Sequence, residues 1–363
     1  MPEASANILV VEDDPFLRMV GVLLDPRTSA ERYAAFADFF AHDEPDLAGY
    51  CARARARAGK LFPATVRLVG TSAAMHRALP DARALVVESL RVGLEEAAAG
   101  RNLVVVQKYG AHPRNIDQAA CAARGIRVLT LRRRANVACA EVAFGLMLTL
   151  AKRLHRLVGR IGADELAAAG YPYKPFDRRH TPNSNWARIT GLRMLHESTI
   201  GIIGLGEIGG EIALRAAAFG MRTLYYQRTR LSAAEERELQ ASYVPLEQLL
   251  SESDWVIPQL PGGPSTRGLI DRARLAQMKR GAFLVSVSQA DIVDRAALIE
   301  ALRSGHLGGL GLDPPYEVPG RSDDELLKFN NVVMTPHIAA QPRFNALNDL
   351  ADLVDGLAKA LAP

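Results

Sequence analysis

Cysteine is scarce in this chain, with three in 363 residues. Cys51, Cys121 and Cys139 form no CxxC pair and leave an odd count, so a reducing, cytoplasmic compartment is expected and a disulfide framework is not. No set of metal ligands is assigned. A tract of one charge is missing too. The 44 Lys and Arg are scattered among 40 Asp and Glu, for a formal charge of +4, so the basic stripe that nucleic-acid binding requires is absent. No apolar run reaches the roughly 18 residues of a bilayer span, and the first residues lack a basic segment followed by an apolar run and a cleavage site. Nucleic acid, membrane insertion and secretion are therefore not expected. Internal repeats and low-complexity tracts are likewise absent.

What is present is core-forming material. The composition is 48% hydrophobic, and the length suits about two domains of roughly 150 residues. Short β-rich runs end at Val11, Leu68, Val87 and Val106, each followed by a helical or turn-rich stretch, the pattern of α/β units with a parallel sheet. Residues 136–157 read as one long apolar helix. Residues 171–186, YPYKPFDRRHTPNSNW, read as a polar loop long enough to be functional. Strands and helices alternate again over 199–334, and a helix over 343–361 closes the chain.

Two stretches near the start have competing readings. ILVVEDDPFLR resembles the opening of a response-regulator receiver. A receiver also needs a phospho-acceptor aspartate after a later strand and a lysine beyond it, and neither LFPATVRLVG nor ALVVESLRVG supplies them. The acids are expected to cap a helix after the first strand. The arginines of CARARARAGK are read as a solvated helix face.

The segment STIGIIGLGEIGGEIALRAAAFGMRTLYYQRTR carries the strongest signal. An apolar strand runs into Gly204, Gly206 and Gly209 at GxGxxG spacing, a helix follows, and then a second apolar strand. Gly204 permits the tight turn, Gly206 lets the backbone approach a pyrophosphate, and Gly209 allows close helix–strand packing. The helix start presents unpaired N–H groups to the anion. After the second strand, where NAD binders usually place an acid, stand Gln227, Arg228, Thr229 and Arg230. Guanidinium groups suit a 2'-phosphate, so NADP(H) is expected ahead of NAD(H).

Beyond this loop, a series of blocks resembles the D-isomer-specific 2-hydroxyacid dehydrogenases: RNLVVVQKYGAHPRNIDQAACAARGIRVLT, NVACAEVAFGLML, GIIGLGEIGGEIA, QLPGGPSTRGLI, MKRGAFLVSVSQADIVDRAALIEALRSGHLGGLGLD and NNVVMTPHIAA. The resemblance implies two Rossmann-like domains. A cofactor domain over 136–335 is inserted in a flavodoxin-like substrate domain formed by 1–135 and 336–363, with the active site in the cleft between them. It also implies a homodimer, a 2-oxo or 2-hydroxy acid as small-molecule substrate, and cofactor contacts at Glu207, Ile208, Pro261, Thr266, Val287 and Asp313 besides the glycines.

The family's chemistry uses a His for the proton, an acid that tunes it and an Arg that grips the substrate carboxylate. His337 matches the His. Gln289 occupies the Arg position and has no charged fork to offer. Val318 occupies the acid position, and Glu317 beside it substitutes only if Pro314 and Pro315 shift the backbone. The substrate loop reads Tyr109, Gly110, Ala111, His112, with Pro113 removing an N–H donor and Arg114 adding a charge. Lys174, Arg178, Arg179 and His180 are candidates for an anionic ligand or a dimer partner, or for plain exposure. Two functions follow: an NAD(P)-dependent oxidoreductase acting on a 2-oxo or 2-hydroxy acid or related carbonyl compound, or a dinucleotide-binding protein without ordinary turnover.

Overall fold

The computed structural model describes residues 7–362 apart from 172, 173, 175 and 183. Pro172, Tyr173, Pro175 and Asn183 of the expected polar loop therefore lie outside the described residues. The chain divides into two compact units, Met1–Asn136 with Ala340–Pro363, and Val137–Ala339.

The first unit is built on five parallel strands, β1 (Asn7–Glu12), β2 (Ala64–Val69), β3 (Ala84–Val87), β4 (Val105–Lys108) and β5 (Arg127–Leu129), in the order β2-β1-β3-β4-β5. All four residues of β3 and of β4 are buried, as expected of parallel strands covered on both faces. Helix Phe344–Leu361 contributes Leu347, Leu350, Val354, Leu357 and Leu361 to this core, a helical repeat that draws the C-terminal end into the unit.

The acids of ILVVEDD have structural duties here. The Glu12 carboxylate accepts the backbone N–H groups of Glu88 at 2.7 Å, Ser89 at 2.9 Å and Leu90 at 3.0 Å, closing the turn after β3. Asp14 accepts Phe16 N–H at 2.9 Å and Leu17 N–H at 3.1 Å, ahead of helix Arg18–Leu24. Asp13 pairs with Arg18 at 2.6 Å. In CARARARAGK the solvated-face reading misses Arg55, which donates to the carbonyls of Leu23 and Val22 at 3.0 Å each and so satisfies the end of helix Arg18–Leu24.

The second unit has seven parallel strands, β6 (Thr199–Ile203), β7 (Arg222–Tyr226), β8 (Ala241–Tyr243), β9 (Trp255–Pro258), β10 (Phe283–Ser286), β11 (Gly309–Leu312) and β12 (Val332–Met334), ordered β12-β11-β10-β9-β6-β7-β8. After β6 the chain builds outward through β7 and β8, then returns to place β9 on the other side of β6. That reversal opens a crevice at the carboxyl ends of β6 and β9, where ligands bind in sheets of this kind.

The long apolar helix runs over Arg134–Ala151, and a short helix Leu154–Leu157 follows. It is not the continuous helix expected over 136–157, because Arg153 adopts the left-handed conformation (φ 54°). By length and composition Arg134–Ala151 would suffice to cross a membrane, but 61% of it is buried inside the protein. Its Phe144, Met147 and Leu150 belong to the core of the second unit, which accounts for its apolar character.

Candidate functional site

The glycine turn explains itself sterically. Gly204 follows β6 at φ +97°, and a Cβ there would lie 2.3 Å from the Gln259 carbonyl oxygen. A Cβ on Gly209 would lie 2.3 Å from the Gly204 oxygen. Around Gly206 a Cβ would meet nothing within 4 Å, so the turn is crowded on the protein side and open where a ligand would approach. Gly206 caps helix Glu207–Ala218, whose first N–H groups lack intrahelical acceptors, and Ile208 rests half-buried against the core. The Gln259 side chain is buried beside this turn, and its Nε2 has no hydrogen-bond partner among the described residues. Open space and unsatisfied donors at the crevice fit the pyrophosphate of a dinucleotide.

The end of β7 divides its four residues between two tasks. Gln227 Oε1 accepts the Leu205 N–H at 3.1 Å, and its Nε2 donates to the Thr229 carbonyl at 2.6 Å. The amide standing where an acid is usual therefore fastens the glycine turn to β7. Arg230 makes a two-pronged pair with Glu236 at 2.8 and 2.9 Å and lies over the Tyr243 ring. The Arg230 bonds and the Tyr225 hydroxyl hold the Glu236 carboxyl down to about 2. Arg228 and Thr229 are exposed. Of the two arginines, Arg228 is the one with no hydrogen bond or ion pair among the described residues.

The most constrained part of the site is the turn after β12. β11 and β12 pair with Leu312 opposite Met334, which sets Asp313 beside Thr335. Asp313 is fully buried. Its Oδ1 accepts the Thr335 hydroxyl and the Ile338 N–H, each at 2.8 Å, and its Oδ2 accepts the Ala339 N–H at 2.8 Å. The turn so gripped holds His337 at φ 62°, a region that non-glycine residues rarely enter. The His337 ring is exposed, without a hydrogen-bond or ion-pair partner among the described residues. Asp313 thus uses both carboxylate oxygens to position this turn.

Glu317 is not brought to His337. It is exposed, makes no hydrogen bond or ion pair with that ring, and faces Arg321, whose guanidinium the Asp323 bond and the Glu317 charge together stabilise. The segment is anchored by Tyr316, whose hydroxyl donates to the Val293 carbonyl at 2.9 Å. Pro314 and Pro315 are buried, and the chain beyond them turns outward with Glu317 and Val318 both exposed. Gln289, exposed after β10, lies against Gly262, and its amide makes no hydrogen bond among the described residues. Thr266 closes the loop after β9 by donating to the Pro261 carbonyl at 2.7 Å. Val287 is a core side chain, 6% exposed.

In the first unit, Tyr109 is a core residue. Its ring is 1% exposed within the core and lies beneath the Arg133 guanidinium, 4.3 Å from Cζ to the ring centre. The loop proper starts at Gly110, whose carbonyl accepts Leu131 N–H at 2.8 Å, and Ala111 and His112 are half-buried. In the polar loop, Arg179 and His180 turn back onto Asp177 at 3.2 and 3.1 Å. Arg178 is exposed, and the Lys174 carbonyl accepts from Arg188 at 3.4 Å. Sequence reasoning missed Thr335, whose hydroxyl Asp313 accepts. Thr335 opens the TPHIAA of a quoted block and was legible there.

Comparison with known proteins bears on this geometry. Residues 144–339 match the family model described as D-isomer specific 2-hydroxyacid dehydrogenase, NAD binding domain. A glyoxylate reductase of Pyrococcus horikoshii is 38% identical over 266 residues, 73% of this chain and 75% of that protein. A crystal structure of another Pyrococcus horikoshii protein superposes with a TM-score of 0.56 at 24% identity, covering 97% of this chain and 91% of that one. The apo D-mandelate dehydrogenase of Rhodotorula graminis gives 0.54 at 23%, covering 97% and 93%. At these identities the two structures speak for the fold alone.

Proposed function

The chain belongs to the D-isomer specific 2-hydroxyacid dehydrogenase family, and from that premise we propose that it reduces a small 2-oxo acid of the glyoxylate class with NADPH, using His337 as proton donor. As a member of the family it is an oxidoreductase acting on CH–OH groups with a nicotinamide cofactor. The substrate class follows the name of its relative, the glyoxylate reductase of Pyrococcus horikoshii. The observation that carries the reading is the Asp313 grip on the turn of His337, which spends a buried carboxylate on presenting one imidazole.

Bound at the glycine turn, the nicotinamide dinucleotide supplies the hydride. Gly206 and the start of helix Glu207–Ala218 would hold the pyrophosphate, and Arg228, exposed and without a hydrogen bond or ion pair among the described residues at the end of β7, would hold the 2'-phosphate of NADPH. His337 delivers the proton to the developing alkoxide oxygen from its ring nitrogen. Gln289 orients the substrate with its neutral amide. Neither Glu317 nor another described acid is bonded to His337, so no described carboxylate orients its ring. The reading includes the homodimer typical of the family and a reducing, cytoplasmic setting, which three buried cysteines outside any disulfide support.

The test is oxidation of NADPH and NADH by the purified protein against 2-oxo acids, aldehydes and ketones, with cofactor binding measured by calorimetry. Turnover of glyoxylate-class acids that disappears in His337→Ala, with cofactor binding retained, is the expected result. Tight cofactor binding without turnover of any carbonyl would overturn it.

A further inference from the structure

A cavity of about 330 Å³ lies wholly within the second unit, with Arg153, His155, Arg156 and Arg193 in its wall and no carboxylate among its lining residues. Phe283 opens β10, Gly308 precedes β11 and Asn331 precedes β12, so the cavity sits at the amino ends of these strands. The glycine turn follows the carboxyl end of β6. Because the strands run parallel, the two places lie at opposite ends of one sheet. The cavity is therefore no part of the dinucleotide crevice.

The three guanidiniums are held by contacts that leave their charge uncompensated. Arg153, left-handed at φ 54°, donates from Nη1 to the Tyr171 hydroxyl at 3.3 Å, and a Cβ on Gly191 would lie 2.6 Å from its Nη2. Arg156 lies over the Tyr171 ring at 5.9 Å, and Arg193 over the Phe283 ring at 4.8 Å. His155 Nε2 donates to the Asn330 carbonyl at 2.9 Å, bracing the approach to β12. The dipole at the end of helix Arg134–Ala151 favours nearby cations, but the Ala151 carbonyl is met by the Arg193 backbone N–H at 2.9 Å. Among the described residues, none of the three arginines forms an ion pair and none of their guanidinium nitrogens donates to a carbonyl. Other arginines of the unit do find acids, as Arg230 finds Glu236 and Arg295 finds Asp324. Three like charges around one small cavity repel each other and focus a positive potential into it.

We propose that this cavity binds a phosphorylated small molecule, with the phosphoryl oxygens gripped by Arg153, Arg156 and Arg193. A phosphoryl group brings a charge of about −1.5 to −2 and three strong acceptor oxygens, which guanidinium forks match in charge and in geometry. A single carboxylate would neutralise one of the three cations and leave two in repulsion. Asn331 Nδ2 is already given to the Gly308 carbonyl at 3.0 Å, so that side chain closes the wall and the arginines supply the donors. The site needs neither His337 nor the glycine turn, and it stands or falls apart from the reductase reading.

The test is calorimetric titration of pyrophosphate and of orthophosphate into the full-length protein at low ionic strength, with NADH saturating so that the glycine turn is occupied. Saturable binding to the wild type is expected, weakened about 10- to 100-fold in R153Q and in R193Q. R160Q removes an exposed charge from the same segment and should change the affinity by about twofold or less. Arg193 is exposed, so R193Q serves if R153Q fails to fold. No saturable binding to the wild type, or unchanged affinity in R193Q, overturns the site. A loss in R160Q as large as that in R193Q also overturns it, because a diffuse positive field would then account for the binding. Should R193Q dissociate an oligomer by sedimentation while the wild type binds neither anion, the arginines serve contact between copies of the chain and the proposal fails.

Discussion

Asp313 accepts the backbone N–H of Ile338 at 2.8 Å, and that bond, made across the β11–β12 pair, fixes the backbone of the adjacent His337 in the left-handed region at φ 62°. Asparagine at 313 keeps the shape but presents an NH2 group to one of its donors, so the turn relaxes. Asp313→Asn is expected to lower kcat by about 100-fold, the scale of a misplaced catalytic group, with NADPH affinity unchanged by calorimetry. A selective loss of cofactor affinity would instead return Asp313 to the cofactor contacts.

The glycine turn separates stability from binding. Gly209→Ala forces a Cβ to 2.3 Å from the Gly204 oxygen and should cost about 1–3 kcal/mol of stability, read as a lowered Tm. Gly206→Ala meets nothing within 4 Å, so it should fold normally and lose affinity for the dinucleotide.

Cofactor choice divides the two arginines after β7. Arg228→Ala is expected to raise KM for NADPH roughly 10-fold while leaving NADH nearly unchanged. Arg230→Ala should leave the NADPH/NADH ratio alone and lower thermal stability, because its guanidinium is engaged with Glu236. Equal losses of both cofactors in Arg228→Ala would count against the NADPH preference.

The same ion pair sets an acid limb of stability. Glu236 falls from an ordinary 4.5 to about 2 in the folded protein, so its contribution is complete above about pH 4.5 and is lost as the pH drops towards 2. Chemical denaturation across this window should show a shallower loss in Arg230→Ala than in the wild type.

Glu317 offers a negative control. Its carboxylate makes no bond to His337, so Glu317→Gln should leave the pH profile of kcat/KM superimposable on that of the wild type. A displaced limb would mean that Glu317 reaches the imidazole during turnover.

The local pattern of the chain determined the alternating strands and helices, the Gly204–Gly206–Gly209 turn and the position of His337. Each depends on residues within a few positions of one another, where periodicity and backbone sterics act directly. What the side chains do there was decided by pairing over long separations. Glu12 is claimed by a turn 76 to 78 residues away, and Asp313 by a turn 25 residues on. Arg228 and Arg230 look alike in QRTR, yet only the latter finds Glu236. Arg133 and Arg134 are adjacent in the chain, and it is Asp349 and Asp352, on the closing helix, that take one and leave the other. A carboxylate's partner is set by which strands and helices the hydrophobic core brings together, and only the folded chain contains that information.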